Sequence, residues 1–305
     1  MSMTELALPQ PWFDRAGRFS WLKTGCFAIV LLPAIWLLYQ TLNHDLGVRP
    51  ITEATHQTGD WAIRFLLATL AVTPLRRAAQ WPRLLIVRRM LGLACLFYVS
   101  IHFCLYIVDQ KYDLLKVASE IVLRFYLLIG FTAFLGLCAL GWTSTDGAVK
   151  RMGAEAWGRL HKLVYPVAVL GLVHFALQSK RDVTEAMVLA GLFILLMLAR
   201  RVDARGKATP LAFLALAVVS ALASAAGEAL WYGLSSGING WSVLAANIDW
   251  DMAPRPAHWV LLGGLVLTGL RWWRGVPQRG RSGAGVRTSG SAIAAQQGRG
   301  GPGGP

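Results

Sequence analysis

The chain has 305 residues, 55% of them hydrophobic and 15% charged, and its mean hydropathy is +0.48. This apolar content exceeds what a soluble domain of the same length carries, so we expect lipid to be the solvent for much of the chain. The net charge of +14 is divided into bands between apolar stretches. That distribution argues against a continuous nucleic-acid-binding face, and no nucleic-acid partner is expected.

Apolar stretches of helical length follow one another along the sequence. A helix that crosses the hydrocarbon core needs about 20 mainly apolar residues. The first stretch lacks a small-residue cleavage site at its end, so it is interpreted as a retained helix and not as a signal peptide. The sequence therefore predicts an all-α fold, a polytopic transmembrane helix bundle. Its predicted spans are residues 21–42, 58–73, 90–108, 123–142, 160–177, 184–199, 210–226 and 257–273.

The charges between the spans predict an orientation. Lysine and arginine in short connecting segments remain on the cytoplasmic side of a membrane. With a cytoplasmic N-terminus, most of the 30 basic residues fall on the inner face and most of the 16 acidic residues on the outer face. Both termini are then cytoplasmic. Residues 276–305, rich in glycine and arginine, have too few apolar residues to form a core, and we predict a disordered basic cytoplasmic tail.

The cysteines give no metal-binding or haem-attachment pattern. All four lie inside apolar spans, and none belongs to a CxxC or CxxCH sequence. Covalently attached c-type haem is therefore excluded, and buried structural cysteine is the expected role. The four are Cys26, Cys95, Cys104 and Cys138.

Two histidines lie at matched depth in spans that run in the same direction. At 1.5 Å per residue, His102 lies about 18 Å and His174 about 21 Å from the inner boundary. Two neutral imidazoles on neighbouring helices, with apolar walls, are what a doubly ligated haem iron needs. The alternative is that each ring makes a hydrogen bond to a serine or a carbonyl group of another helix. As ionisable groups at membrane depth, both are candidate functional residues.

A second group of candidates lies at the predicted inner side. His161 is a third possible haem ligand, although the third span offers Arg89 and no histidine at the matching position. The alternative is an ordinary interfacial histidine. Arg88 and Arg89 open the third span, where a phosphate-bearing cofactor such as flavin mononucleotide (FMN) would find guanidinium donors. The alternative for this pair is plain positive-inside charge.

Two further patterns have structural interpretations. Asp60 and Arg64 are four residues apart on one predicted helix and are expected to pair at the outer edge of the second span. Gly227, Gly263 and Gly264 indicate close packing between helices.

Several sequence segments resemble those of one protein family. They are LLPAIWLLYQTLNHDLG (residues 31–47), HQTGDWAIRFLLATLAVTPLRR (56–77), RRMLGL (88–93) followed by SIH (100–102), TST (143–145) and WGRLHKLVYPVAVLGLVHF (157–175). In this order they resemble the MsrQ family, the membrane subunits of a methionine sulfoxide reductase system, in the ferric-reductase-like transmembrane group. The resemblance departs from the pattern at Phe125, where the family commonly has proline.

The resemblance implies a six-helix core with b-type haem and FMN in the cell inner membrane, surrounded by its lipid. By this resemblance, His102, His161 and His174 correspond to haem-associated histidines of the family. Arg88 and Arg89 correspond to an arginine pair linked with flavin. It also implies electron transfer from the quinone pool to MsrP, a periplasmic molybdopterin enzyme that reduces methionine sulfoxide in periplasmic proteins. This chain would then supply electrons and would not itself be the catalytic subunit.

The expected organisation has three regions. Residues 1–206 form the haem-binding core, residues 207–275 add two transmembrane helices without a recognised counterpart, and residues 276–305 form the tail. Two other functions remain open. The first is a ferric-chelate-type membrane reductase, and the second is a transporter or scaffold whose histidines are structural, which would be colourless.

Overall fold

The computed structural model describes residues 11–13, 17–180, 182–251 and 253–274. Within these ranges the chain is helical, and an isolated β-bridge joins Phe13 to Phe19. The predicted all-α class is confirmed. The predicted tail, residues 276–305, lies outside the described residues.

Twelve α-helices are present in the described part of the chain, together with 3₁₀ turns at Pro82–Leu84 and His161–Leu163. In chain order they are α1 (Trp21–Leu42), α2 (Pro50–Ala78), α3 (Leu85–Asp109), α4 (Leu114–Leu123), α5 (Phe125–Trp142), α6 (Asp146–Met152), α7 (Ala154–Leu160), α8 (Val164–Gln178), α9 (Thr184–Ala204), α10 (Pro210–Ser236), α11 (Gly240–Ala246) and α12 (Pro256–Arg274).

Every predicted span coincides with a helix, but the helices differ in length and apolar content, which decide whether a helix can cross a membrane. Among the described residues, five helical segments are long and apolar enough to cross a membrane, and they contain α1, α3, α5, α8 and α10. The remaining three, α2, α9 and α12, are less apolar along their length. The most charged of them, α2, also has more buried residues than the other two, because neighbouring helices enclose much of it.

Four short helices, α4, α6, α7 and α11, were not predicted, because their sequences are too short or too polar for a span. The clearest is α4, which is amphipathic: Val117 and Ile121 are buried, whereas Leu115 and Leu123 are exposed. Only Arg124, in an extended conformation, separates α4 from α5. Phe125 is then the first residue of α5, a position where a backbone N–H has no helical partner and where proline is also favoured.

The predicted fifth span, residues 160–177, begins with a 3₁₀ turn and continues as α8. A 3₁₀ turn at His161–Leu163 separates α7 from α8. Pro166 lies in the first turn of α8, where its missing N–H costs no helical hydrogen bond. The stretch between His161 and His174 is therefore not one regular α-helix.

At the centre of the bundle, α2 packs against α3, α8 and α9, and α5 packs against α8. Phe65, Leu66 and Leu70 of α2 are almost fully buried there. The hydroxyl group of Tyr98 on α3 donates to the carbonyl group of Val30 at 2.8 Å and ties α1 to this centre. This arrangement places α2, α3, α5 and α8 around one interior space.

The last long helices, α10 and α12, pack on each other and on α9. A Cβ added to Gly264 would lie 2.2 Å from the Cβ of Ala217, and one added to Gly263 would lie 2.9 Å from Leu192. A Cβ added to Gly227 would lie 3.2 Å from the Sδ of Met187. The prediction of close helix packing at these glycines is confirmed.

A buried polar cluster joins α10 to the segment before α12. The carboxylate of Glu228, which is fully buried, accepts from Asn247 Nδ2 at 2.6 Å and from Arg255 Nη1 at 3.2 Å. Asn247 Oδ1 in turn accepts from the backbone N–H of Ala257. The cluster thus fixes where α12 begins.

Replacing Glu228→Leu is expected to lower the free energy of unfolding by about 3 kcal/mol, because one N–H of the buried Asn247 amide and the half-buried guanidinium of Arg255 lose their carboxylate acceptor. Thermal unfolding of the detergent-purified protein measures the effect. The matched control is Glu155→Gln, which breaks an exposed pair with Arg159 at 3.4 Å and should leave the unfolding temperature unchanged. Equal effects of the two variants would contradict a structural role for the buried cluster.

Candidate functional site

A cavity of about 520 Å³ lies between α2, α3, α5 and α8. This volume is within the range of about 300–1,000 Å³ that small-molecule and cofactor sites occupy. Its deep part is lined by apolar side chains, and its other end is polar. The deep walls include Leu66, Val99, Phe103, Phe131, Phe134 and Leu137.

Two of the predicted candidates, His102 on α3 and His174 on α8, face each other across this cavity. Their ring centroids are 6.4 Å apart, and the ring planes are nearly perpendicular, at 88°. The predicted match in depth is confirmed. Phe103 lies beside them, with ring centroids 5.6 Å from Phe131 and 5.3 Å from Phe134.

The hydrogen bonds of the two rings determine which nitrogen faces the cavity. Nδ1 of His102 lies 2.7 Å from the carbonyl oxygen of Thr55, and Nδ1 of His174 lies 2.8 Å from that of Tyr126. A carbonyl oxygen only accepts, so each Nδ1 carries the proton and donates. In a neutral imidazole the lone pair is then on Nε2. Each ring therefore offers Nε2 as a ligand atom.

The spacing of the rings suits one metal ion between them. An imidazole nitrogen binds a transition metal at about 2 Å, and the ring centroid lies about 1 Å behind that nitrogen, so two rings on opposite sides of one ion have centroids roughly 6 Å apart. The observed separation is 6.4 Å. Two axial histidines leave the equatorial positions to a macrocycle, which is how haem iron is held. The residues present therefore fit a doubly ligated haem.

The polar end of the cavity lies where α2 begins and α3 ends. Thr52, Asp109 and Glu120 line it. Glu120 accepts hydrogen bonds from Tyr106 at 2.9 Å and from Arg124 at 3.1 Å. This end therefore combines carboxylates with a guanidinium, whereas the deep end is apolar.

Arg64 has a different main partner from the one that we predicted. Its Nε and Nη2 atoms donate to the two carboxylate oxygens of Glu185 at 2.7 and 2.8 Å, a bidentate pair between α2 and α9. The expected partner, Asp60, is four residues away on the same helix and lines the cavity. Asp60 does interact electrostatically with Arg64, as predicted, but Glu185 is the hydrogen-bonded partner, because its carboxylate offers the geometry that the guanidinium fork prefers.

The other predicted candidates lie elsewhere in the bundle. His161 is in the 3₁₀ turn before α8, where its ring stacks on Trp157 at 3.9 Å and its Nε2 lies 3.2 Å from Thr143 Oγ1. Arg88 and Arg89 are within electrostatic range of His161. Arg89 makes an ion pair with Asp146 at 2.7 Å. The structure thus groups these three, but does not bring them to the cavity.

Near this group, Arg200 of α9 was missed by the sequence reasoning. It donates to the hydroxyl group of Tyr165 at 3.1 Å and to the carbonyl group of Leu70, and its Nε is buried without a partner among the described residues. It also lies within electrostatic range of Arg88. The sequence signal that could have identified Arg200 is its charge close to the end of an apolar span.

A helix bundle with several membrane-crossing segments and two facing histidines defines a polytopic membrane protein of the ferric-reductase-like class. A family model described as "Ferric reductase like transmembrane component" matches residues 58–172, a stretch that contains His102 and ends two residues before His174.

Curated relatives specify the family. The protein-methionine-sulfoxide reductase heme-binding subunit MsrQ of Rhodospirillum rubrum is 42% identical over 192 residues, which cover 63% of this chain and 90% of that relative. The proteins of the same name from Herminiimonas arsenicoxydans and Polaromonas naphthalenivorans are 40% and 42% identical, over 59% and 60% of this chain and 84% and 87% of their own lengths. This chain therefore belongs to the MsrQ family. No solved structure matches it significantly.

The polar end of the cavity should be reachable from the outer side. In a protein whose four cysteines are replaced by alanine, Thr52→Cys at the mouth is expected to react with a membrane-impermeant maleimide added to spheroplasts. Leu137→Cys, at the deep end, serves as the matched control and should stay unlabelled because its position is buried. Labelling of Thr52→Cys only after the membrane is opened would reverse the predicted orientation.

Proposed function

We propose that this chain is a membrane electron-transfer subunit that uses b-type haem, together with FMN, to carry electrons from the quinone pool to a periplasmic MsrP-like molybdopterin subunit. That partner would reduce methionine sulfoxide in periplasmic proteins. The chain itself is then not the methionine-sulfoxide-reducing subunit. Membership of the MsrQ family supports this function, since the relatives are named as haem-binding subunits of such a reductase.

The observation that carries the proposal is the pair of facing imidazoles. His102 and His174 present unprotonated Nε2 atoms to one cavity at a ring separation of 6.4 Å. When bound, haem iron supplies one-electron redox chemistry. The chain holds both rings in one tautomer, places aromatic side chains beside the site and lines its deep end with apolar residues.

We further propose that the protein is a multi-pass protein of the cell inner membrane with both termini cytoplasmic. The positive-inside distribution of lysine and arginine supports this orientation. It places the mouth of the histidine cavity on the periplasmic side, where the partner is found. It places Arg88 and His161 on the cytoplasmic side. Residues 1–206 would form the haem-binding core, with residues 207–275 as additional helices.

We assign FMN to the corner near Arg88, Arg89 and His161. An ion pair with Asp146 already engages Arg89, whereas Arg88 is half-buried at the start of α3. Guanidinium groups bind phosphate through paired hydrogen bonds. Arg88 is therefore the arginine proposed to bind the flavin phosphate. Ligation of haem by His161 is a separate proposal, and it rests on a half-buried imidazole whose Nε2 lies 3.2 Å from Thr143 Oγ1.

A second candidate, a ferric-chelate reductase, is favoured by the match to the ferric-reductase-like family model. Such a protein would reduce an added ferric chelate without any protein partner. The MsrP-type function instead predicts that the reduced protein loses its electrons rapidly only when the molybdopterin partner is added. Stopped-flow reoxidation with each acceptor separates the two functions.

The variants His102→Ala and His174→Ala are each expected to lower haem content per polypeptide at least about tenfold, because each removes an axial ligand. Absorption spectra of the detergent-purified protein before and after dithionite, with pyridine-haemochrome quantification, measure this loss. His44→Ala, in the exposed turn after α1, is the matched control and should retain sharp reduced b-type bands.

Full haem content in His102→Ala would remove the assignment of the ligand pair. A colourless but well-folded wild-type protein would contradict the proposed electron-transfer function and would favour a transporter or scaffold.

The variant Arg88→Gln is expected to lower the flavin content of the purified protein severalfold, since one phosphate-binding guanidinium is lost. Fluorescence of acid-released flavin measures it, with haem content as the internal reference. Arg83→Gln, an exposed arginine in the 3₁₀ turn that precedes α3, is the matched control. Equal flavin in both variants, or loss of haem in parallel with flavin, would count against the assignment.

A further inference from the structure

Two glycines face the histidine rings at very short range. A Cβ added to Gly59 of α2 would lie 2.9 Å from Nδ1 of His102. A Cβ added to Gly130 of α5 would lie 2.7 Å from Nδ1 and from Cε1 of His174. Both distances are well inside the optimal separation of nonbonded heavy atoms, about 3.5–4.0 Å. Any larger residue at either position would therefore collide with the ring as it now stands.

The two glycines occupy equivalent places relative to the ring hydrogen bonds. Thr55, whose carbonyl group accepts from His102, is followed four residues later by Gly59. Tyr126, whose carbonyl group accepts from His174, is followed four residues later by Gly130. In an α-helix the Cβ at i+4 is tilted back over residue i. A side chain at i+4 would therefore cover the carbonyl group that the ring approaches.

Other glycines of the bundle face different groups. A Cβ added to Gly136 of α5 would lie 2.5 Å from Val167, and one added to Gly141 would lie 2.2 Å from Leu96. Those glycines allow helices to approach each other. By contrast, the nearest atoms to Gly59 and Gly130 are all imidazole atoms.

We propose that Gly59 and Gly130 are positioning residues that keep the carbonyl groups of Thr55 and Tyr126 open to the two imidazoles and thereby aim both Nε2 atoms at a common point. The proposal rests on the haem function proposed above, which it extends to residues on the helices opposite the ligands. The same arrangement thus holds both histidines. The histidine lies on one helix, and a neighbouring helix provides the carbonyl group that accepts its hydrogen bond and the glycine that leaves room for its ring.

The hydrogen bonds explain why the rings cannot simply yield. A ring displaced by a new methyl group loses its bond of 2.7 or 2.8 Å to the carbonyl group. Buried polar groups without partners are costly in a bundle surrounded by lipid. The ring then rotates, and Nε2 leaves the line that joins the two histidines. Outer-shell groups of this kind typically change metal affinity by about 10–100-fold.

The test uses the purified full chain with Gly59→Ala or Gly130→Ala. We expect haem affinity to fall at least about tenfold. We also expect the haem that remains to change from the low-spin, doubly ligated form to a high-spin form in absorption and electron paramagnetic resonance spectra. Gly92→Ala on α3, whose added Cβ would lie 3.7 Å from Thr69, is the matched control and should behave like the wild type.

A second control separates ring positioning from helix packing. Gly136→Ala should lower the unfolding temperature and leave the spectrum low-spin, because its collision is with Val167. The same spectral change in Gly136→Ala and Gly130→Ala would overturn the proposal, as would a full complement of low-spin haem in both Gly59→Ala and Gly130→Ala. A wild-type protein that purifies without haem would instead contradict the haem-based function on which this proposal rests.

A double-variant cycle tests the contact without haem. Gly59→Ala should destabilise the haem-free protein, but have no effect in a His102→Gly background, where the colliding ring is absent. An equal loss of stability in both backgrounds would show that the collision is not with His102 and would contradict the proposal.

Discussion

In a bundle surrounded by lipid, each buried hydrogen-bonding group needs a partner inside the protein, and this requirement orients the two central imidazoles. Each ring donates to a backbone carbonyl group of an adjacent helix, His102 to α2 and His174 to α5. The packing of α2 on α3 and of α5 on α8 therefore also sets the distance between the rings, 6.4 Å. The geometry of the candidate site is a property of the helix pairs and does not depend on flexible loops.

The two ends of the bundle differ in chemistry in a way that suits directional electron transfer. Carboxylates and Tyr106 surround the mouth of the histidine cavity, whereas arginines and His161 gather at the other predicted side. An anionic cofactor is favoured at the second end, and a neutral apolar interior lies between the two. In the proposed function, the first end faces the periplasmic partner, and the amphipathic helix α4 with its exposed leucines borders that exit.

Hydropathy and residue counting predicted the long helices and the matched depth of His102 and His174, because both depend on distance along one helix. Hydropathy and residue counting do not predict contacts between helices. Arg64 was assigned to Asp60, its neighbour in sequence, whereas its partner Glu185 is 121 residues away. Gly59 follows a polar stretch and Gly130 lies in an apolar one, so their sequence surroundings share no signal, and their importance is evident only when the opposite helix is known. The helix α4 was missed because amphipathic segments of ten residues do not resemble spans.

The bidentate pair between Arg64 and Glu185 has a consequence for the biogenesis of the protein. When α2 leaves the ribosome, α9 has not yet been synthesised, so Arg64 enters the translocon without its carboxylate. An arginine at the centre of a bilayer costs about 2.5–3.5 kcal/mol on insertion scales, and less towards its edge. The bidentate pair can therefore form only after α9 has been synthesised, which makes the packing of α2 against α9 a late step in the assembly of the bundle.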